Sequence, residues 1–457
     1  MNRKINGFVF LIFFLFINIA ANAQMTINLE LARLLGLTNS QELARVNASI
    51  RTALINERTQ LYNSLLPKVS ADYSAGVDFL QTQSGNTQFV NPLDTFKASV
   101  SLTASYSFTL GGNDFINRSI NQIKTDIARI NMMSTYYSVL NSVDKAYYDV
   151  LRAIADLESA ESLLQSEMLS LSISEVRFRN GMINQIDYLN AQSRKESREN
   201  TRNQSRRTLS LRMIILKDLI GVQEDIILEP VSFDAYDEVL RRLALISVND
   251  TDLLYENLWN VVVANNPSLK TAALDNRIAE INYSHSVRTE FLPTITLSVN
   301  FGDVLNYSSS GGFSYPHSFN GSVTLKGSIP IDIWVRSNNI ENYKIARENA
   351  SNTFNNALRS SQTGLLTDLY NLLAQASAVL SSRRSLEIAE NAYAGTLERY
   401  MLSQTSEKDL GDASNSLRDS RNNLNNANYS FLQSFSALRN SCALDDEQQF
   451  INLLLGL

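Results

Sequence analysis

The side chains best suited to chemistry are sparse in this sequence: two histidines, His285 and His317, and one cysteine, Cys442. They do not make the clustered His/Cys pattern that holds a metal ion, and a single thiol cannot close an intrachain disulfide. No nucleophile stands with a base in a recognisable motif and no phosphate-cradling glycine loop occurs, so an enzyme is not expected, nor any cofactor. What remains is charge. Asp409 and Asp412 are three residues apart, a spacing that sets both carboxylates on one face of a helix; alone, that pattern describes a solvated acidic face. The formal net charge of -6 leaves no electrostatic footprint for nucleic acid.

The elements that would position these groups begin with a leader. Arg3 and Lys4 precede an apolar run from Phe8 to Ile17, and Ala21-Asn22-Ala23 is a small-residue cleavage site, so residues 1–23 read as a secretory signal peptide. No later segment has the about 20 apolar residues that a spanning helix needs, and any passage through a membrane must then use β-strands.

The chain repeats itself. Leu43, Ile55, Asn56, Leu66 and Pro67 match Leu269, Ile281, Asn282, Leu292 and Pro293. Tyr148, Leu151, Arg177, Asp187 and Ala191 match Tyr370, Leu373, Arg399, Asp409 and Ala413, and Phe178 meets Tyr400. Each copy opens with a helical stretch, about Leu29 to Leu66 in the first, and ends it at Leu-Pro, where the proline pushes the preceding residue out of helical geometry. Beyond each proline the apolar period changes from helical to alternating. Val69, Ala71, Tyr73, Ala75, Val77 and Phe79 alternate with small and polar residues. So do Phe96 to Phe108, Ile295 to Phe301, and Val323 to Ile329. This predicts strands at about 68–80, 96–109, 294–304 and 319–331, each with an apolar and a wet face. Polar loops, Gln81 to Asp94 and Gly302 to Ser318, lie between them.

Long proline-free helices follow. Val143, Ala146, Tyr147, Val150, Ile154 and Leu157 fall at the three-four spacing of a packed face. A helix from Asn113 to Asn180 would be about 100 Å long. The stretch from Ile186 to Val222, set end to end with the helix before the strands, would match it in length, giving a rod. The domain reading is a signal peptide (1–23), a first repeat (24–228) with long helices at about 113–222, a linker or insert (229–252), a second repeat (253–441) with long helices at about 336–440, and a C-terminal tail (442–457). The fold class is mainly α with β-barrel strands. Four strands cannot enclose an open lumen, and bare strand edges are not tolerated in lipid. Closure needs several chains, and a homotrimer would make a 12-stranded barrel on a helical tunnel, within the known range of barrel sizes.

At this point the sequence resembles the TolC-like outer-membrane efflux protein family. The carriers are Leu66-Pro67 and Leu292-Pro293, the Gly111-Gly112 turn, Ala146-Tyr147-Tyr148-Asp149 with Leu369-Tyr370, and two hairpin-tip motifs. These run from Arg177-Phe178-Arg179-Asn180-Gly181-Met182 through Asp187 to Ala191, and from Arg399-Tyr400-Met401-Leu402-Ser403 through Asp409 to Ala413. The resemblance implies an outer-membrane channel of a tripartite efflux or type I secretion system, its helical part in the periplasm, working with a periplasmic adaptor and an inner-membrane pump. It implies that Asp409 and Asp412 ring the narrowest point with Asp187 as their counterpart on the first hairpin, and that Tyr400 bonds to Asp187 as a closing contact. Arg177, Phe178, Gly181, Arg399, Tyr400 and Ser403 then belong to the lock and the adaptor-docking tips. The sequence departs from the pattern at Ser403, where glycine is usual, at Thr405, where some members carry a basic residue, and at Ile331 to Arg336, which lacks the Gly-Gly turn. A non-conducting periplasmic adaptor or spacer with long coiled-coil hairpins is the competing expectation.

Overall fold

The computed structural model describes residues 25–77, 80–83, 86–89, 96–246, 248–308, 312–314, 320–329, 331–402 and 404–456. The leader, His317 and Ser403 lie outside them. The chain divides into two compact units: one holds residues up to Ala44, Met133–Asn266 and Ser360 onward, and the other holds Arg45–Met132 and Pro267–Arg359.

The second of these units carries the antiparallel strands. Strands β2 (Lys68–Val77), β5 (Phe96–Thr109), β7 (Thr294–Ser308) and β9 (Asn320–Ser328) pair antiparallel in that order. Their register puts like with like over much of the sheet. Val69, Ala104, Val299 and Val323 form one row, and Ala71, Leu102 and Phe301 the next. On the opposite face, Ser70, Thr103, Asn300 and Ser322 form a row, beside Lys68, Ser105, Ser298 and Thr324. Hydroxyls pair across strands on this polar face, Ser74 with Ser99 at 2.7 Å and Ser107 with Thr296 at 2.9 Å. The apolar face has no cover: Tyr73 is 86% exposed and Val323 73%. Among the described residues, the outer edges of β2 and β9 have no strand partner.

The polar loops are partly ordered as strand. Within the predicted loop after β2, β3 (Leu80–Gln83) and β4 (Asn86–Phe89) make their own antiparallel pair. β7 runs on to Ser308, where it pairs with β8 (Gly312–Ser314).

The single helix expected from Leu29 to Leu66 is two: α1 (Leu29–Asn39) and α2 (Gln41–Leu65). The break is chemical. Ser40 is extended at φ -65°, ψ 114°, its hydroxyl accepts the Leu43 N–H at 3.2 Å, and it so acts as the N-cap of α2. The strand-to-helix turns of the two copies differ too. Gly112 sits at φ 73°, the left-handed region, and a Cβ on Gly111 would meet the Thr289 side chain at 2.2 Å. In the second copy the place of the glycines is taken by Asp332, whose carboxylate accepts from Arg336 at 3.1 Å while Arg336 also reaches Glu290 at 3.1 Å. An ion-paired cap thus replaces a glycine turn.

The other unit is built from α3 (Asn113–Arg179), α4 (Gln185–Ile220), α5 (Asp237–Leu245), α6 (Val248–Asn265), α8 (Ile333–Met401), α9 (Glu407–Ser441) and α10 (Glu447–Leu455), with α7 (Pro267–Thr289) and the ends of α3 and α8 belonging to the strand unit. Val143, Tyr147, Val150, Leu163 on α3, Leu369, Leu372, Ala376, Val379 on α8, and Phe431, Phe435, Leu438 on α9 are buried. The residues after the first repeat and the tail pack together. Tyr236 lies edge-on to Phe435 at 5.5 Å, Phe435 to Phe450 at 5.0 Å, and the Tyr236 hydroxyl donates to Glu447 at 2.5 Å. Asp144, 1% exposed, accepts from Arg33 at 2.5 and 2.8 Å and from Arg439 at 3.4 Å, so one buried carboxylate ties α1, α3 and α9. Short strand β1 (Met25–Ile27) pairs parallel with β6 (Ile226–Leu228), and the Tyr147 hydroxyl donates to Glu229 O at 2.7 Å and reaches Ile27 O at 3.2 Å.

Candidate functional site

Two helical hairpins, α3–α4 and α8–α9, turn near one another in sequence-equivalent ways. Gly181 ends α3 at φ 65°; its N–H reaches Phe178 O at 3.0 Å and the next N–H, of Met182, reaches Arg177 O at 2.8 Å. This pair of bonds is a Schellman C-cap, which glycine alone enters without strain. In the second hairpin the Gln404 N–H reaches Arg399 O at 2.8 Å, the match of the Met182 bond. Both turns then start a helix in the same manner. Asn184 accepts the Asp187 N–H at 2.8 Å, and Ser406 accepts the Asp409 N–H at 3.2 Å, with the Asp409 carboxylate accepting from the Ser406 N–H at 3.1 Å.

Asp187 and Asp409 therefore share a position, the third residue of a capped helix. Asp409 is exposed, and the Ser406 and Thr405 hydroxyls, at 2.7 and 2.8 Å, hold its carboxyl below the ordinary carboxylate range. Thr405, standing where a basic residue was looked for, serves this carboxylate. Asp412 is exposed one turn on.

The expected contact between Asp187 and Tyr400 is not what the structure forms. Tyr400 is fully buried, and its hydroxyl pairs with Ser174 Oγ at 2.9 Å. The Arg177 guanidinium lies 4.2 Å from the centre of the Tyr400 ring and donates to Tyr400 O. The reason lies in the helix faces: at sequence-equivalent places the two hairpins exchange roles. Arg177 is inside while Phe178 is 39% exposed and stacks on Tyr188 at 5.1 Å; Tyr400 is inside while Arg399 is exposed.

Behind the tips lies a set of charges that the sequence reading missed. Glu167 on α3 and Glu407 on α9 are each 4% exposed and both pair with Arg194 of α4, Glu167 at 3.3 Å. Arg198, also 4% exposed, is 3.6 Å from Glu167 and donates to Ser414 at 3.2 Å and Asn415 at 3.0 Å. Ser414 donates to Glu167 at 2.7 Å and Ser174 reaches Glu407 at 3.4 Å. Burial pulls the Arg198 guanidinium pKa down, while Glu167 opposes that shift; arginine stays charged regardless. The signal was present in the spacing. Glu167, Ser170, Ser174 and Arg177 continue, at three-four steps, the buried face that carries Leu163. The seam between hairpins turns from apolar to polar at unchanged helical positions. Such a seam holds only while every partner stays in place, because a buried ion separated from its counter-ion costs several kcal/mol.

Against this geometry, a family model described as outer membrane efflux protein matches residues 23–222 and 258–443. The chain belongs to the outer membrane efflux protein family. No curated protein matches the sequence. Solved structures share the fold of this efflux protein. CusC aligns with a TM-score of 0.75 at 16% identity, covering 93% of this chain and 95% of that one. The Campylobacter jejuni outer membrane channel CmeC gives 0.72 at 15%, covering 91% and 85%, and the open state of the Neisseria gonorrhoeae outer membrane channel MtrE gives 0.68 at 15%, covering 91% and 89%. The fold is therefore that of the TolC-like channels, a helical tunnel with barrel strands. The efflux protein is an outer-membrane channel with its helices in the periplasm, and its family and structural neighbours are channels, not enzymes. The adaptor or spacer alternative is not favoured.

Proposed function

We propose that three copies of the chain close a 12-stranded barrel and conduct solutes passively to the exterior from a periplasmic adaptor and inner-membrane pump. The observation that carries this is the sheet. A continuous apolar row on one face, a hydroxyl row on the other and two unpaired edges suit a strip cut from a barrel with lipid outside and water inside, and no second layer of the chain covers either face among the described residues. The helix tips form the opposite end of the function. Asp409, Asp412 and Asp187 make an acidic collar when repeated by threefold symmetry, favouring cations over anions. The buried Arg194–Glu167–Glu407 clasp and the Tyr400–Ser174 pair hold the hairpins shut. Exposed apolar groups at the tips, Phe178, Met182, Leu189, Met401 and Leu402, together with the Gly181 turn, Arg399 and Ser403, offer the docking surface for the adaptor.

The test is the mass and bilayer activity of the purified mature protein in detergent. A trimer mass with cation-selective conductance is expected. A monomer without conductance would return the sheet to some other partner.

A further inference from the structure

The polar face of the sheet is not uniformly neutral. Counted from the end where the strands meet the long helices, its rows are Thr109, Thr294 and Ser328, then Ser107, Thr296 and Lys326, then Lys68, Ser105, Ser298 and Thr324. Adjacent rows thus hold Lys326 and Lys68, two residues or roughly 7 Å apart along the strands. The two lysines sit on the two outer strands, β9 and β2. Both are exposed, and among the described residues neither ammonium has an ion-pair partner. Asp72, on the same face, lies four residues up β2 from Lys68, roughly 13 Å away, and accepts from the Ser70 hydroxyl at 3.0 Å. Glu290 and Asp332, at the junctions with the helices, are engaged by Arg336 at 3.1 Å each. By register Lys97 belongs to the same face at its far end, level with Gly76.

We propose that, in the trimeric barrel on which this inference rests, Lys68 and Lys326 of the three copies form a basic ring on the lumen wall, at the helix end of the strands, that binds multiply charged anionic solutes. When strips of four strands close a barrel, β9 of one copy lies beside β2 of the next. Each of the three seams then brings a Lys326 and a Lys68 onto neighbouring strands. Like charges so placed cost stability, and packing does not ask for them, since hydroxyls fill the rest of these rows. An anion in the lumen offsets the repulsion. Low-dielectric walls focus the field of such charges into a channel, and rings of lysine or arginine are the means by which pores attract anions. The ring has the opposite sign to the aspartates of the hairpin tips, which gives the channel two charge filters.

The experiment is planar-bilayer recording of the purified mature protein in potassium chloride gradients, with citrate as the multiply charged probe. Citrate should block the wild type. Lys68→Gln with Lys326→Gln should still conduct, with cation-over-anion permeability raised and citrate block weakened about tenfold by the loss of charge-assisted contacts. Each Gln change alone should give an intermediate block, so the readout does not depend on the double variant assembling. Lys68→Arg with Lys326→Arg keeps the charge and should keep the wild-type block. The difference between the wild type and the Gln variants should fade from about 0.01 M to about 1 M salt, as the Debye length falls from about 30 to about 3 Å. A conducting wild type that citrate does not block, a block and permeability ratio unmoved by the Gln changes, or a block lost equally in the Arg variant would overturn the ring and leave the channel standing. A wild type without conductance would remove the barrel reading, and the ring with it.

Discussion

Arg194 is the residue on which the two hairpins most depend. Among the described residues it is the cation that reaches both buried carboxylates, Glu167 and Glu407, and truncating it leaves Glu407 without a cationic partner and Glu167 with Arg198 and Ser414. Arg194→Ala should cost about 3–5 kcal/mol of local stability, the range for breaking a buried pair, and should raise resting conductance in planar bilayers; an unchanged closed-state current would show that the clasp does not hold the channel shut. Tyr400→Phe removes one hydroxyl contact and should cost only about 1 kcal/mol, read as a small fall in melting temperature. Because Tyr400 faces Ser174, not Asp187, Asp187→Asn should leave that temperature unmoved. At this scale the sequence was legible in part. The tip motifs locate the turns but do not tell which face each residue takes: Arg177 and Tyr400 turn inward, Phe178 and Arg399 outward. A rotation of one residue on a helix carries no mark in a motif. The polar stripe Glu167, Ser170, Ser174, Arg177 was marked, and was passed over because core positions were sought among apolar residues.

At the scale of elements, caps decide where helices begin, and they are chemical devices that can be removed one at a time. Asn184→Ala should destabilise the start of α4 by about 1 kcal/mol, seen as faster amide exchange confined to residues after the first tip. The Asp409 cap predicts a pH dependence with a definite sign. Its folded pKa is depressed, so its contribution is complete above the unfolded value of about 3.9 and disappears as pH falls through the folded value. The second tip should therefore loosen in acid, and Ser406→Ala should shift that loosening to higher pH; a tip whose exchange rate is flat across this window would mean that the cap contributes nothing. The strands were the most legible elements, since alternation is a direct record of two unlike environments. The Ser40 break was not read, because a serine inside a long amphipathic stretch looks like a solvent-facing position until its hydroxyl is seen to cap the following turn.

For the whole molecule, the decisive property is the unlike character of the two sheet faces. Val323→Arg in β9 would set a charge in the apolar row and should cost about 2–4 kcal/mol if that row meets lipid at mid-depth, whereas Ser322→Arg, one residue away on the polar face, should be tolerated and alter conductance instead. Comparable losses for the two would remove the distinction between a lipid face and a water face. Fold class and membrane were legible because the repeat, the two proline stops and the alternating strands agree, each recording the same architecture at a different length. Subunit number leaves no such record in one chain; it follows only from the edges. Those edges also govern timing. A strand strip with both margins bare cannot mature by itself, so its final ladder bonds form only on encounter with other copies, at a rate that climbs steeply with protomer density. The helical unit, with its own buried core, has no such wait. Newly secreted chains should therefore pass through a stage in which the helices are ordered and the strip is still an open template, prone to mispairing and in need of protection until neighbours arrive.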